Sequence, residues 1–366
     1  MAMPVLHVVG GTYNWGGTYT AVLSLARCAV ARRRHALWMH RDIVRDGAKG
    51  EIVREGVIRL PHGGLLHDAI AGLRETPALL RHIRAHGPMI LHAHTRVGIV
   101  AACLAGRITG APLLVHMHYL ASHPSLYRRL WRMGRARIVF NSARTCVHFG
   151  CDPVRNAVIH PSIVWPSPAP AEFGARSRLV CAGAYVRLKG FDRVAEAAGV
   201  LDASGQPVQT VLFGCRQPAL DPACDRRLHR LAAAIPSVML APWADDWSAN
   251  LRAADIFVHP AAVESFGVAV LEAFARGIRL ILGAGTLVDD LPEPQRSCSV
   301  FRLSDPSVNA VVQRVHEALR ERVDSEKLWR LRRTVADRFD ATRNATRLED
   351  LYVAMENAAG TEHAGS

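Results

Sequence analysis

No run of apolar residues in this 366-residue chain approaches the ~20 needed to cross a bilayer as a helix, which excludes a helical channel or transporter. The eight cysteines (Cys28, Cys103, Cys146, Cys151, Cys181, Cys215, Cys224 and Cys298) are scattered and never form Cys-x-x-Cys. Their spacing excludes a zinc ribbon or a dithiol redox motif and predicts ordinary reduced thiols of a cytosolic protein. The sequon at Asn344 then carries no meaning. Aromatics make up 6% of the chain, with no stacking strip and no recognisable nucleic-acid-binding motif. No internal repeat of fixed period occurs. Met1–Gly11 lacks the charged start and long apolar stretch of a secretory leader and is expected to form a first strand.

Hydrophobic residues are plentiful at 49%, enough for buried cores, and the length suits two domains better than one. Charge is unevenly spread. Up to Trp165 there are 21 Lys+Arg against 7 Asp+Glu, a balance of +14; from Pro166 onward there are 24 against 25, a balance of −1. The first part therefore faces something anionic: a membrane surface, a lipid diphosphate or a nucleic acid.

Short apolar runs alternate with helical patterns. The runs include Val5–Val9, Leu113–His118, Leu179–Gly183, Ile256–His259 and Arg279–Leu282; the helical stretches include Tyr19–Ala31, Phe191–Leu201 and Val268–Arg276. Alternation of this kind predicts parallel sheets with helices on both faces, and continuous apolar strands are those buried on both sides. Prolines at 166, 168 and 170 make a stiff connector. The expected fold is α/β, with two Rossmann-like doubly wound domains facing a central cleft. The boundaries are 1–165 for a basic first domain and 166–340 for a second. A helix over 341–356 is expected to pack back on the first domain, and 357–366 to be a frayed tail.

The strongest motif runs from His259 to Phe274. A strand ends at His259-Pro260, a loop carries Glu264, and a helix begins near Gly267 with Glu272 two turns inside it. Amides at a helix start attract phosphate, and glycine permits close approach of a ligand. Glu272 lies in the otherwise wholly apolar stretch Val268–Phe274, where a carboxylate is costly unless something binds it.

Two glutamates separated by seven residues in this setting resemble the signature of retaining glycosyltransferase family 4, enzymes of GT-B fold that use nucleotide diphosphate sugars. By that resemblance Glu264 contacts the donor sugar, amides around Ser265, Phe266, Gly267 and Val268 hold the sugar or phosphates, and Glu272 accepts from the ribose hydroxyls. Gly16-Gly17-Thr18 is similar to the family's glycine loop near diphosphate and acceptor. Gly183 through Lys189-Gly190 looks like the segment whose cations neutralise the leaving diphosphate. The family's arginine is Ala184 here; Lys189 remains and Arg187 stands near it. His118, six residues after Pro112, resembles the histidine that contacts the donor sugar and reacting phosphate, and His94 falls on the acceptor side. The catalytic set so implied is Glu264, His118 and Lys189. His92, His94, His116 and His118 cluster at strand ends, but none stands four residues from another of them, and the resemblance implies no metal and no cofactor.

Arg279 replaces the family's proline; both a surface and a functional role are open to it. Ser125–Arg135, with Leu126, Leu130 and Met133 at helical spacing, Tyr127 and Trp131 as interface residues and four arginines, predicts a helix lying on an anionic membrane. Arg32-Arg33-Arg34-His35 is a second basic patch. The function implied is transfer of a hexose-type sugar from a UDP- or GDP-linked donor to a lipid-linked or glycan acceptor in cell-surface polysaccharide or glycolipid assembly. The expected location is the cytoplasmic face of a bacterial membrane, with no nucleic-acid partner. The alternative is a catalytically silent relative that binds nucleotide sugar or a partner protein.

Overall fold

The computed structural model describes residues 2–9, 18, 21–22, 24, 33–39, 65–169, 176–215, 221–244, 246–283, 285–290, 300–321, 326, 332–333, 335–336 and 338–364. The chain divides into two compact units. The first is built from the segments up to Val164 together with Phe339–Ser366, and the second from Trp165–Arg338.

The first unit holds a six-stranded parallel sheet in the order β2-β1-β3-β4-β5-β6. Its strands are β1 (Val5–Val9), β2 (His35–Met39), β3 (Ile90–Ala93), β4 (Leu113–Met117), β5 (Arg137–Phe140) and β6 (Ala157–Val158). Alternate residues point to opposite faces. Leu6, Val8, Leu91, Leu113, Val115 and Met117 meet α1 (Leu65–His86), α2 (Arg96–Thr109) and α3 (Pro124–Met133). Val5, Ile90, Leu114, Val139 and Ile159 meet Ala345, Leu348, Tyr352 and Met355 of the C-terminal helix. Burial of such large apolar side chains contributes about 1.5–3 kcal/mol each, which fixes this helix to the sheet.

Three sequence expectations are corrected here. Tyr127 and Trp131 are each only 5% exposed and pack on Phe149, so the aromatics of α3 belong to the core and not to a membrane face. Leu126, Arg129, Arg132 and Met133 form its exposed side. Arg33 is buried and paired with Glu349 at 2.5 Å and Glu356 at 2.9 Å, and His35 is buried beside it, so these two form an internal ion-pair site and only Arg34 of the described stretch is on the surface. Arg32 lies outside the described residues. Finally, the C-terminal helix runs from Ala341 to Ala364, through most of the stretch expected to fray. Alanine at 358, 359 and 364 favours continuation, with Gly360 the one weak position.

The second unit repeats the plan with a parallel sheet in the order β12-β11-β10-β7-β8-β9. Its strands are β7 (Leu179–Ala184), β8 (Thr210–Cys215), β9 (Val238–Pro242), β10 (Ile256–His259), β11 (Arg279–Leu282) and β12 (Val300–Arg302). After α4 (Ala143–His148) of the first unit come α5 (Phe191–Ala203), α6 (Pro222–Ala234), α7 (Val268–Ala275), α8 (Val308–Arg320) and the C-terminal α9 (Ala341–Ala364). Phe191, Val194, Leu228, Val311 and Val315 from α5, α6 and α8 bury one face of this sheet. Arg279 is buried at the start of β11 and donates to the carbonyls of Ala254 and Ala318 and to Ser177 Oγ. Its role is structural: it ties strand and helix ends together.

Candidate active site

In an open parallel sheet, ligands bind at the carboxyl ends of the strands where the strand order reverses. In the second unit that point lies between β7 and β10, neighbours whose chain connections run to opposite sides. The sequence carries β7 into a tight turn at Arg187–Lys189, which ends at Gly190 with φ 71°. A Cβ there would stand 2.9 Å from Pro260 Cγ, so only glycine lets this turn press against the end of β10. From the other side β10 delivers His259, the loop delivers Glu264, and Gly267 at φ 86° opens α7.

These elements bring Lys189 and Glu264 together: Lys189 Nζ donates to Glu264 Oε2 at 2.5 Å. His259 Nε2 lies 3.1 Å from the same oxygen, and the Ser265 amide donates to Oε1 at 3.0 Å. Burial alone raises the Glu264 pKa; the Lys189 ammonium and the His259 hydrogen bond more than reverse this and hold it well below the usual carboxylate range. Burial, partly offset by Glu264, lowers His259. The result is an ionised carboxylate fixed by three donors beside a cation.

Glu272 behaves in the opposite way. Burial pushes it up to about 7, against the hydrogen bond from Trp247 Nε1 at 2.7 Å. Trp247 is fully buried, its ring tilted against those of Phe213 and Phe257. A carboxyl with this pKa, near a helix start, is suited to accept from a polyol once a ligand covers it. Ser265 is half-buried. Phe266 and Val268 are buried, and the Phe266 carbonyl accepts from Leu287 N. Arg187 is exposed, and its amide donates to Asp221. Ala184 ends β7 half-buried.

The first unit holds the histidines. His7 pairs in register with His92 across β1 and β3, and His94 and His118 follow the ends of β3 and β4. His7, His92, His94 and His116 are at most 1% exposed and His118 6%. They form a chain: His35 Nδ1 to His7 Nε2 at 2.9 Å, His7 Nδ1 to His94 Nε2 at 3.0 Å, and His94 Nδ1 to His118 Nε2 at 3.0 Å. Burial, reinforced by mutual repulsion, pushes His7, His92, His94 and His118 well down; burial takes His116 to about 4. Thr18 is half-buried in this unit; Gly16 and Gly17 lie outside the described residues.

Sequence reasoning passed over His259 and Trp247, the partners of the two glutamates. His259 had a signal, since it ends the motif strand. Trp247 had none, because its partner is 25 residues away. His7 and His35 were also missed, being single histidines joined to the others only by strand pairing.

Residues 168–331 match the family model for glycosyl transferases group 1. The two parallel sheets with flanking helices are the GT-B fold. Among curated proteins, D-inositol 3-phosphate glycosyltransferase of Pseudarthrobacter chlorophenolicus is 26% identical over 260 residues, covering 60% of this chain and 59% of that protein. Sulfoquinovosyl transferase of Arabidopsis thaliana is 26% identical over 125 residues, covering 34% and 24%. The chain therefore matches less than two thirds of the length of these relatives. Among solved structures, sucrose-phosphate synthase from Thermosynechococcus elongatus superposes with a TM-score of 0.77 at 16% identity, covering 97% of this chain and all of that one (100%). Anabaena HepE in complex with UDP-glucose gives 0.73 at 17% identity, covering 96% and 100%.

Proposed function

We propose that the chain is a retaining glycosyltransferase that moves a hexose-type sugar from a UDP- or GDP-linked donor to a lipid-linked or glycan acceptor, in assembly of a cell-surface polysaccharide or glycolipid. The observation that carries this is the Lys189–Glu264 contact at the strand-order reversal, ahead of a helix that bears Glu272. Glu264 holds the donor sugar hydroxyls, amides from Ser265 to Val268 hold its phosphates, and Glu272 accepts from the ribose. Lys189 turns from Glu264 to the diphosphate as negative charge grows there, with Arg187 beside it. The acceptor oxygen bonds to the anomeric carbon, the carbon–phosphate oxygen bond breaks, and the hydroxyl proton passes to the departing phosphate. The family resemblance assigns a role toward the sugar to His118, toward the acceptor to His94 and Thr18, and toward the diphosphate to Gly16 and Gly17. Cations of the chain, rather than a metal, stabilise this step.

The exposed arginines, Leu126 and Met133 of α3 support a location against the anionic cytoplasmic face of a membrane. Ala184, where the family has arginine, favours the second reading, a silent nucleotide-sugar-binding relative.

Turnover of a UDP- and GDP-sugar panel tests the proposal. Release of nucleoside diphosphate, with an α-configured product from an α-configured donor, is the expected outcome. Tight donor binding with no transfer or hydrolysis supports the silent relative, and a β-configured product excludes retention.

A further inference from the structure

The histidine cluster of the first unit has a feature that sugar transfer does not use. Among the described residues two triads, His7–His92–His94 and His94–His116–His118, bring one ligand atom from each member within 4.8 Å of the others. All five residues are buried and sit on the α9 side of the sheet. No carboxylate or thiol belongs to either triad.

Among the described residues, His92 Nε2 and His116 Nδ1 in these triads, and His35 Nε2 beside them, are buried without a hydrogen-bond partner. An unpaired buried polar atom costs about 1–3 kcal/mol and calls for an explanation. His92 is fixed from its other side, where Nδ1 lies 2.7 Å from Tyr352 Oη of α9. That leaves Nε2 as its free nitrogen in the triad with His7 and His94, whose own Nδ1 and Nε2 are 3.0 Å apart.

We propose that His7, His92 and His94 bind a late first-row divalent cation of the zinc, cobalt, nickel and copper class. The nitrogens used are His7 Nδ1, His92 Nε2 and His94 Nε2. Each ring's opposite nitrogen lies at hydrogen-bond distance from a partner: His35 Nδ1 for His7, Tyr352 Oη for His92 and His118 Nε2 for His94. Outer partners of this kind hold ligating histidines in the right tautomer and orientation. Binding has His7 and His35 exchange tautomers so that the lone pairs turn inward. Tetrahedral sites with bonds of about 2.0–2.1 Å place nitrogens about 3.4 Å apart, close to the 3.0 Å between His7 Nδ1 and His94 Nε2 and within the 4.8 Å that bounds the triad. An all-imidazole set favours these metals over magnesium or calcium. Arg33 with Glu349 and Glu356, next to His35, adds one net negative charge near the site. The metal also fixes His94 as an Nδ1–H donor to His118, and so sets the tautomer of the histidine assigned to the sugar. Metal binding itself does not rest on that assignment and is read without turnover.

The test uses the untagged full chain, refolded with Co2+ or Zn2+ and freed of excess metal by gel filtration. The expected result is about one tightly held equivalent, intense visible bands of four-coordinate Co2+ without thiolate charge transfer, and a nitrogen shell with imidazole signature in X-ray absorption. Retention falls about 10–100-fold in His7→Gln and His92→Gln, and is unchanged in His229→Gln on the surface of the other unit. The absorption spectrum needs only the wild-type chain, so it decides even if a variant fails to fold. Retention of less than about a tenth of an equivalent overturns the proposal. So do weak octahedral bands, and so does metal lost on His116→Gln but kept in His7→Gln.

Discussion

Both sheets begin in their middle, and each has a strand-order reversal: between β1 and β3 in the first unit, between β7 and β10 in the second. The two points are furnished differently. In the first stand buried imidazoles with no carboxylate among them; in the second an ammonium grips a carboxylate. The contrast shows what burial does to a titratable group. Without a counter-charge the group moves toward its neutral form, as the histidines do downward and Glu272 does upward to about 7. With one, as at Glu264, the charge persists. The second unit thus keeps a fixed charged pair, and the first keeps uncharged imidazoles favoured by burial.

Removing a buried counter-charge gives the largest effect on stability. Arg33→Ala leaves Glu349 and Glu356 facing each other without their cation, and urea unfolding is expected to show a loss of about 3–5 kcal/mol in the first unit. Loss near zero would mean α9 is held by apolar packing alone.

Glu272→Gln sharpens the contrast in the opposite direction. The folded pKa of about 7 lies above the ordinary carboxylate value near 4.5. Between those pH values the folded state keeps a proton that the unfolded state has released, so stability falls as pH rises and the full cost remains above about 7. The substitution should add about 1–3 kcal/mol at pH 8 and little at pH 4, read from denaturation at both. It should also weaken nucleotide binding about tenfold by calorimetry. In the wild type, that binding should tighten as pH rises through 7. Trp247→Phe, which removes one hydrogen bond to Glu272, should cost about 1 kcal/mol. Leu126→Ser with Met133→Ser on α3 should lower binding to anionic vesicles only about several-fold, since arginines supply most of the attraction.

Much of this was legible in the sequence because it is local. β10, the start of α7 and the placement of Glu264 and Glu272 follow from one stretch, His259–Phe274, in which the apolar run, the glycine and the acids lie side by side. Parallel strands announce themselves as continuous apolar runs, and β1 and β11 fall where those runs lie. The rest depends on partners distant in the chain. Arg33 reads as surface charge until Glu349 is seen 316 residues away. Tyr127 and Trp131 suit an interface and a core equally well until Phe149 decides. The imidazole chain joins His7, His35, His94 and His118 across four strands, with no sequence spacing to mark it. β12, three half-buried residues, carries too short a pattern to be recognised.

The account rests most on the second unit holding an activated sugar through the Lys189–Glu264 pair. Its most direct test is the rate of nucleoside diphosphate release from the best donor in the panel, compared between the wild type and Glu264→Gln at equal donor occupancy. A drop in kcat of about 10²–10³-fold, with the fold retained, is the predicted result. Equal rates in the two proteins would contradict it.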